Sequence, residues 1–171
     1  MKSIRLAVCM VALFGLSSPL RAYEVLTHEE MSEAAASSSV LATPGALSAL
    51  GLTGGMNDPK LTFPNSKGSP KFVKDLFRDG ANFEDNFPRP ANHFFDPLTG
   101  KGLAIGTPSP DWAIDGTGDS STIKFSFKAA REYLWQATAN PLNSYAYRQK
   151  QFGLMFETLG HVIHHIQDMA Y

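Results

Sequence analysis

The chain has 171 residues, 43% of them apolar, with 15 basic and 16 acidic side chains and a formal net charge of −1. That is one domain's length with material for a real core, and it lacks the bias of fibrous, repeat or disordered chains. The balance of charge excludes a strongly basic surface that tracks nucleic-acid phosphates, and a lone cysteine, Cys9, excludes an internal disulfide framework.

Residues 1–22 read as a secretory signal peptide. Lys2 and Arg5 give a positive start, Leu6 to Leu16 is an apolar run too short to span a bilayer, and Ser17 to Ala22 is a small-residue exit. Cleavage after Ala22 removes Lys2, Arg5, Arg21 and Cys9, leaving 12 basic against 16 acidic residues and a net charge of −4. The chain is then exported, periplasmic or extracellular, and residues 23–171 form one domain that a core or a metal must hold together.

The exported part starts at Tyr23. Thr27 to Glu30 fits a capping box, predicting a helix from Thr27 to about Ala36 with His28 in its first turn. Cleavage would give Tyr23 a free amine that can chelate a metal together with its own carbonyl. A short helix around Ala46 to Leu50 is stopped by Gly51, and a loop runs on to Lys67. Ser69-Pro70 opens a helix over Lys71 to Arg78, with Phe72, Val73, Leu76 and Phe77 on one face and Gly80 as its end.

Asp79 to Gly102 reads as a long functional loop carrying Asp85, Arg89 and His93. Asp85 and His93 can reach a shared ion, and Arg89 suits a carboxylate or phosphate. Pro108 to Asp119 is a second irregular stretch, with Trp112 packed on the core. Ser126 caps a helix over Phe127 to Thr138 that turns Ala130, Tyr133, Leu134 and Ala137 inward, and Asn140-Pro141 breaks it. The best strand pattern is Thr122 to Phe127, and it is short. The fold class is therefore mainly α, a helical bundle with functional loops at one end.

The terminal helix begins at Asn143 or Ser144, with Arg148, Gln149 and Lys150 exposed. At ~100° per residue, Glu157, His161, His164 and Asp168 fall on one stripe, with His165 at its edge. The other side carries Phe152, Met155, Leu159, Val162, Ile163, Ile166 and Ala170. Polar groups sealed in such a helix cost a few kcal/mol each unless something binds them. A cation satisfies them economically, because His164 and Asp168, one turn apart, offer an imidazole nitrogen and a carboxylate oxygen to one metal.

Four stretches together resemble the zinc-dependent phospholipase C superfamily, whose other branch is the single-strand-specific nucleases. They are GHVIHHIQD (Gly160 to Asp168), NHFFDP (Asn92 to Pro97), the aromatic start followed by His28, and PSPDW (Pro108 to Trp112). The resemblance implies that Asp85, His93, His164 and Asp168 bind one zinc ion, with Asp79 or Glu84 as alternatives to Asp85. It implies a second zinc held by Asp168, His28 and the amine and carbonyl of Tyr23, where the family usually has Trp. Asp85 is also the candidate catalytic carboxylate, and His161 and Arg89 support the ligands without binding metal.

The family's third zinc site uses a His just after this helix's Asp and a His and an acid on a later helix. None follows Asp168 here, so the resemblance implies a C-terminally incomplete, amino-terminal portion of the fold. It also implies hydrolysis of phosphodiesters by metal-activated water, on phospholipid headgroups with peripheral membrane contact. Nucleic acid is the substrate in the alternative, nuclease-type reading. A third reading is a truncated zinc-binding module without activity. No protein partner is evident.

Overall fold

The structure is a computed structural model that describes residues 24–56, 58 and 60–169. The expected signal peptide, Tyr23 and Ala170 lie outside the described residues. Among the described residues five α-helices carry the fold: α1 (Val25–Ser38), α2 (Val73–Glu84), α3 (Ser109–Asp115), α4 (Phe127–Thr138) and α5 (Tyr145–Met169). The mainly helical expectation is met, with the two strands β1 (Thr62–Pro64) and β2 (Pro70–Phe72) as the only sheet among the described residues.

The long helix α5 is the axis on which α2, α4 and the shorter elements pack. Phe156 is fully buried, its ring centroid 6.0 Å from Phe77 on α2 and 5.9 Å from Phe63 on β1. Val73, Leu76, Phe152, Met155 and Ala137 extend this core. Ser126 caps α4 as expected, accepting from the Ala129 N–H, with Ala130 and Ala137 buried. Among the described residues no helix is long and apolar enough to cross a membrane.

Several sequence expectations are corrected. The capping box is not formed: Glu24 is the N-cap of α1, and Thr27, already inside the first turn, donates its N–H to the Glu24 carbonyl at 2.8 Å. Ser69-Pro70 opens no helix. The Asn65 side chain accepts from the N–H groups of Lys67 and Ser69, closing a turn that lays β2 antiparallel on β1 with Thr62 opposite Phe72. Thr122 to Phe127, in turn, is not a strand.

Gly80 does not end α2 but sits in its buried face. A Cβ there would lie 2.0 Å from the Glu157 carbonyl oxygen, and one on Gly160 would lie 2.3 Å from that of Phe77. The two glycines let the α2 and α5 backbones touch, and the contact rewards continuing the helix more than Gly weakens it. The expected loop from Asp79 therefore begins only at Asp85. The irregular stretch after Pro108 likewise holds α3, whose first turn contains Pro110, where its missing N–H costs nothing. Ile166, expected inward, is 57% exposed, because α1 and the site loop cover the side of α5 that carries His164, His165 and Gln167.

Candidate metal centre

Three elements converge on the last turns of α5. α1 supplies His28, the end of α2 supplies Glu84 and Asp85, and the loop after it supplies His93. That loop is pinned where it must be: Asn92 accepts from the Thr107 N–H at 2.8 Å and donates to the Arg89 carbonyl, while the Phe94 carbonyl accepts from the Ser109 N–H. His28 and His164 are buried, and their rings stack with centroids 3.9 Å apart.

Asp168 stands between two sets of histidines. Its Oδ1 is 3.4 Å from His28 Nε2; its Oδ2 is 3.4 Å from His164 Nε2 and 2.9 Å from His93 Nδ1. Asp85 Oδ1 closes the second set, 3.6 Å from His164 Nε2 and 3.9 Å from His93 Nδ1. Within each set, His28–His164–Asp168 and Asp85–His93–His164, the ligand atoms lie within 4.8 Å of one another, so each could hold a metal ion.

A metal fits these residues because, at the centre of the two sets, polar atoms of Asp168 and His164 face other donors without a hydrogen bond of their own. Asp168 Oδ2 and both nitrogens of His164 are buried and lack a hydrogen-bond partner, although nitrogens stand within 3.4 Å of that oxygen. Leaving such groups unmet costs roughly 1–3 kcal/mol each. Electrostatics agrees: burial opposes charge on both His93 and Asp168, yet the imidazoles of His164 and His93 hold the Asp168 carboxyl well below its usual range. Asp168 and Glu84 likewise overcome burial and raise His93 to about 9. A field that holds a proton this firmly also favours a cation in its place.

The stripe seen in the sequence splits in two. His164 and Asp168 face the donors just described, whereas Glu157 takes Ser66 as partner and His161 turns to Glu84. Glu84 is fully buried and saturated, accepting from His161 Nδ1 at 2.5 Å, His165 Nε2 at 2.9 Å, Arg89 Nε at 2.7 Å and Trp112 Nε1 at 3.0 Å. Burial would raise its pKa, but His161, His165 and His93 hold it well below the carboxylate range. Burial lowers His161 to about 4 and lowers His165 too, so both donate as neutral rings. Although Glu84, His93 and His165 also lie close enough for a metal, Glu84's lone pairs are already taken.

The alternatives to Asp85 are thereby placed. Glu84 is bound by its four donors, and Asp79 accepts from Asn65 and Lys71 away from the donors. Arg89 meets a carboxylate, Glu84, and lies over the Trp112 ring with its side chain 12% exposed. The sequence reading named Glu84 only as an alternative ligand and missed its part as a buried acceptor, and it missed Gln167 altogether. Glu84 continues the buried i, i+4 row of Leu76 and Gly80 once Gly80 no longer ends the helix. Gln167, beside Asp168, accepts from His28 Nδ1 at 2.7 Å.

Compared with known proteins, the chain matches no family model, no curated protein and no solved structure.

Proposed function

We propose that the domain belongs to an exported zinc-dependent phosphodiester hydrolase of the phospholipase C type, acting on phospholipid headgroups. One observation carries this reading: the Asp168 carboxylate lies between His28 and the pair His93 and His164, one oxygen toward each. Imidazole and carboxylate are the ligands of hydrolytic zinc, and ligands at ~2.0–2.1 Å from a tetrahedral zinc stand ~3.3 Å apart. The donor separations here run from 2.9 to 3.9 Å around that value.

His93, His164, Asp85 and Asp168 would hold one zinc, and His28 and Asp168 a second. Zinc in such a site supplies an acidified water near neutral pH and neutralises phosphate oxygens as charge builds on them. The residues do the rest. Asp85, with 27% of its side chain exposed, is the donor-set carboxylate most open to solvent and can orient a water and take its proton. Glu84 and its partners stiffen the wall behind His93 and keep the end of α2 on α5.

The test is zinc analysis of the exported protein together with turnover of p-nitrophenylphosphorylcholine, phosphatidylcholine and single-stranded DNA. Bound zinc with chelator-sensitive turnover of the choline esters is expected. Preference for DNA moves the protein to the nuclease branch, and zinc without turnover makes it a silent metal-binding module. Turnover that survives strong chelation overturns the reading.

A further inference from the structure

We propose that Gln167 is the positioning residue for His28, holding the proton on Nδ1 so that Nε2 turns a lone pair toward a cation shared with Asp168. The proposal rests on the zinc reading above. It concerns a residue that binds no metal and lies in no donor set.

The geometry is specific. Gln167 is 6% exposed, and its Oε1 lies 2.7 Å from His28 Nδ1. An amide oxygen can only accept, so Nδ1 carries the hydrogen and Nε2 is the basic nitrogen of a neutral ring. That nitrogen is 3.4 Å from Asp168 Oδ1, longer than an ordinary N–H···O bond and close to the spacing of two ligands on one ion. The Gln167 Nε2 donates to Ser32 Oγ at 3.0 Å. Because Ser32 is one turn beyond His28, a single side chain on α5 grips two successive turns of α1.

Side-chain chemistry matters here as well as shape. Glu84 accepts from His161 and His165 as an anion that Arg89 and the rings already offset. Gln167 accepts from His28 as a neutral group, so the Asp168 charge nearby is left for a cation. A clamp that only tied α1 to α5 would work with either tautomer of His28. A positioning residue requires one.

The test is titration of the chain from Tyr23 to Tyr171 with zinc alone, read by competition with a chromogenic chelator. Gln167→Leu should weaken one of two zinc sites about 10- to 100-fold while Gln167→Glu, which keeps the acceptor, stays within about 3-fold of wild type, the range typical of groups that orient metal ligands. Independently of either variant, 15N NMR of the wild-type imidazoles should show zinc shifting His28 Nε2 while Nδ1 keeps its hydrogen.

Unchanged affinity in Gln167→Leu, or coordination through His28 Nδ1, overturns the proposal and leaves the zinc reading standing. Absence of zinc binding by the wild type overturns both. Should Gln167→Leu fail to fold, the wild-type spectrum decides alone.

Discussion

Gly80 on α2 rests directly on the backbone of Glu157 on α5: a Cβ at Gly80 would stand 2.0 Å from the Glu157 carbonyl oxygen. No flexible side chain can yield there, so the two helices must separate to admit even a methyl group. The donor set Asp85–His93–His164 spans this seam, since Asp85 follows α2 while His164 lies further along α5. Gly80→Ala should cost about 1–3 kcal/mol or more in urea unfolding, the scale of overpacking. It should also weaken zinc binding, which an exposed Gly→Ala change in a helix would not do.

The placement of Asp168 between two histidine sets makes its loss unequal to that of either neighbour. Asp168→Asn removes an anion that faces His28 with one oxygen and His93 and His164 with the other, whereas His28→Gln touches one side. Atomic absorption on the purified protein should find that Asp168→Asn loses most of its zinc and His28→Gln about half. The same ranking should appear in thermal melts, because a ligand bound only to the folded state at 100 times its Kd adds ~2.7 kcal/mol. Equal zinc content in the two variants would contradict the shared carboxylate.

Glu84 answers a different need. It is a buried anion facing Arg89 Nε at 2.7 Å, with two neutral histidines and the Trp112 indole completing its hydrogen bonds. Glu84→Gln keeps the volume, leaves Arg89 with the more distant Asp119 at 3.8 Å, and turns an amide N–H₂ toward groups that also donate. Breaking a buried pair on one side costs about 3–5 kcal/mol, to be read as a lowered urea midpoint at unchanged slope.

The helical class, α4 with its cap, and the polar stripe on α5 were legible because each rests on local periodicity or a local cap. The sequence could not show that Gly80 and Gly160 face each other across 80 positions, so Gly80 read as a stop signal and α2 was cut short. That one misreading hid the part Glu84 plays as a buried acceptor, since a longer helix places it one turn beyond Gly80 on the row of Leu76. The stripe was also too uniform a reading. Glu157, His161, His164 and Asp168 share an azimuth but not a height along α5, and their partners come from the Ser66 turn, from Glu84 and from the loop at His93. Only tertiary contacts separate them. Gln167 carried no local signal, since its partner His28 is 139 positions away.

Glu157 gives stability an acid-side signature that can be isolated. Burial raises its carboxyl above the ordinary 4.5, against the opposing hydrogen bonds from the Ser66 N–H and hydroxyl. The folded state therefore binds this proton more tightly than the unfolded chain. Its contribution is fully present below the unfolded value and is lost as pH rises through the raised folded value. Acidic groups held low, such as Glu84 and Asp168, act in the opposite sense and at lower pH. Comparison with Glu157→Gln in chelator-treated protein cancels their effect. The stability of wild type relative to Glu157→Gln should be greatest near pH 4.5 and fall toward neutrality, by at most ~1.4 kcal/mol per pH unit. A difference in urea midpoint that stays constant from pH 4.5 to 7 would show that Ser66 fully compensates the buried charge.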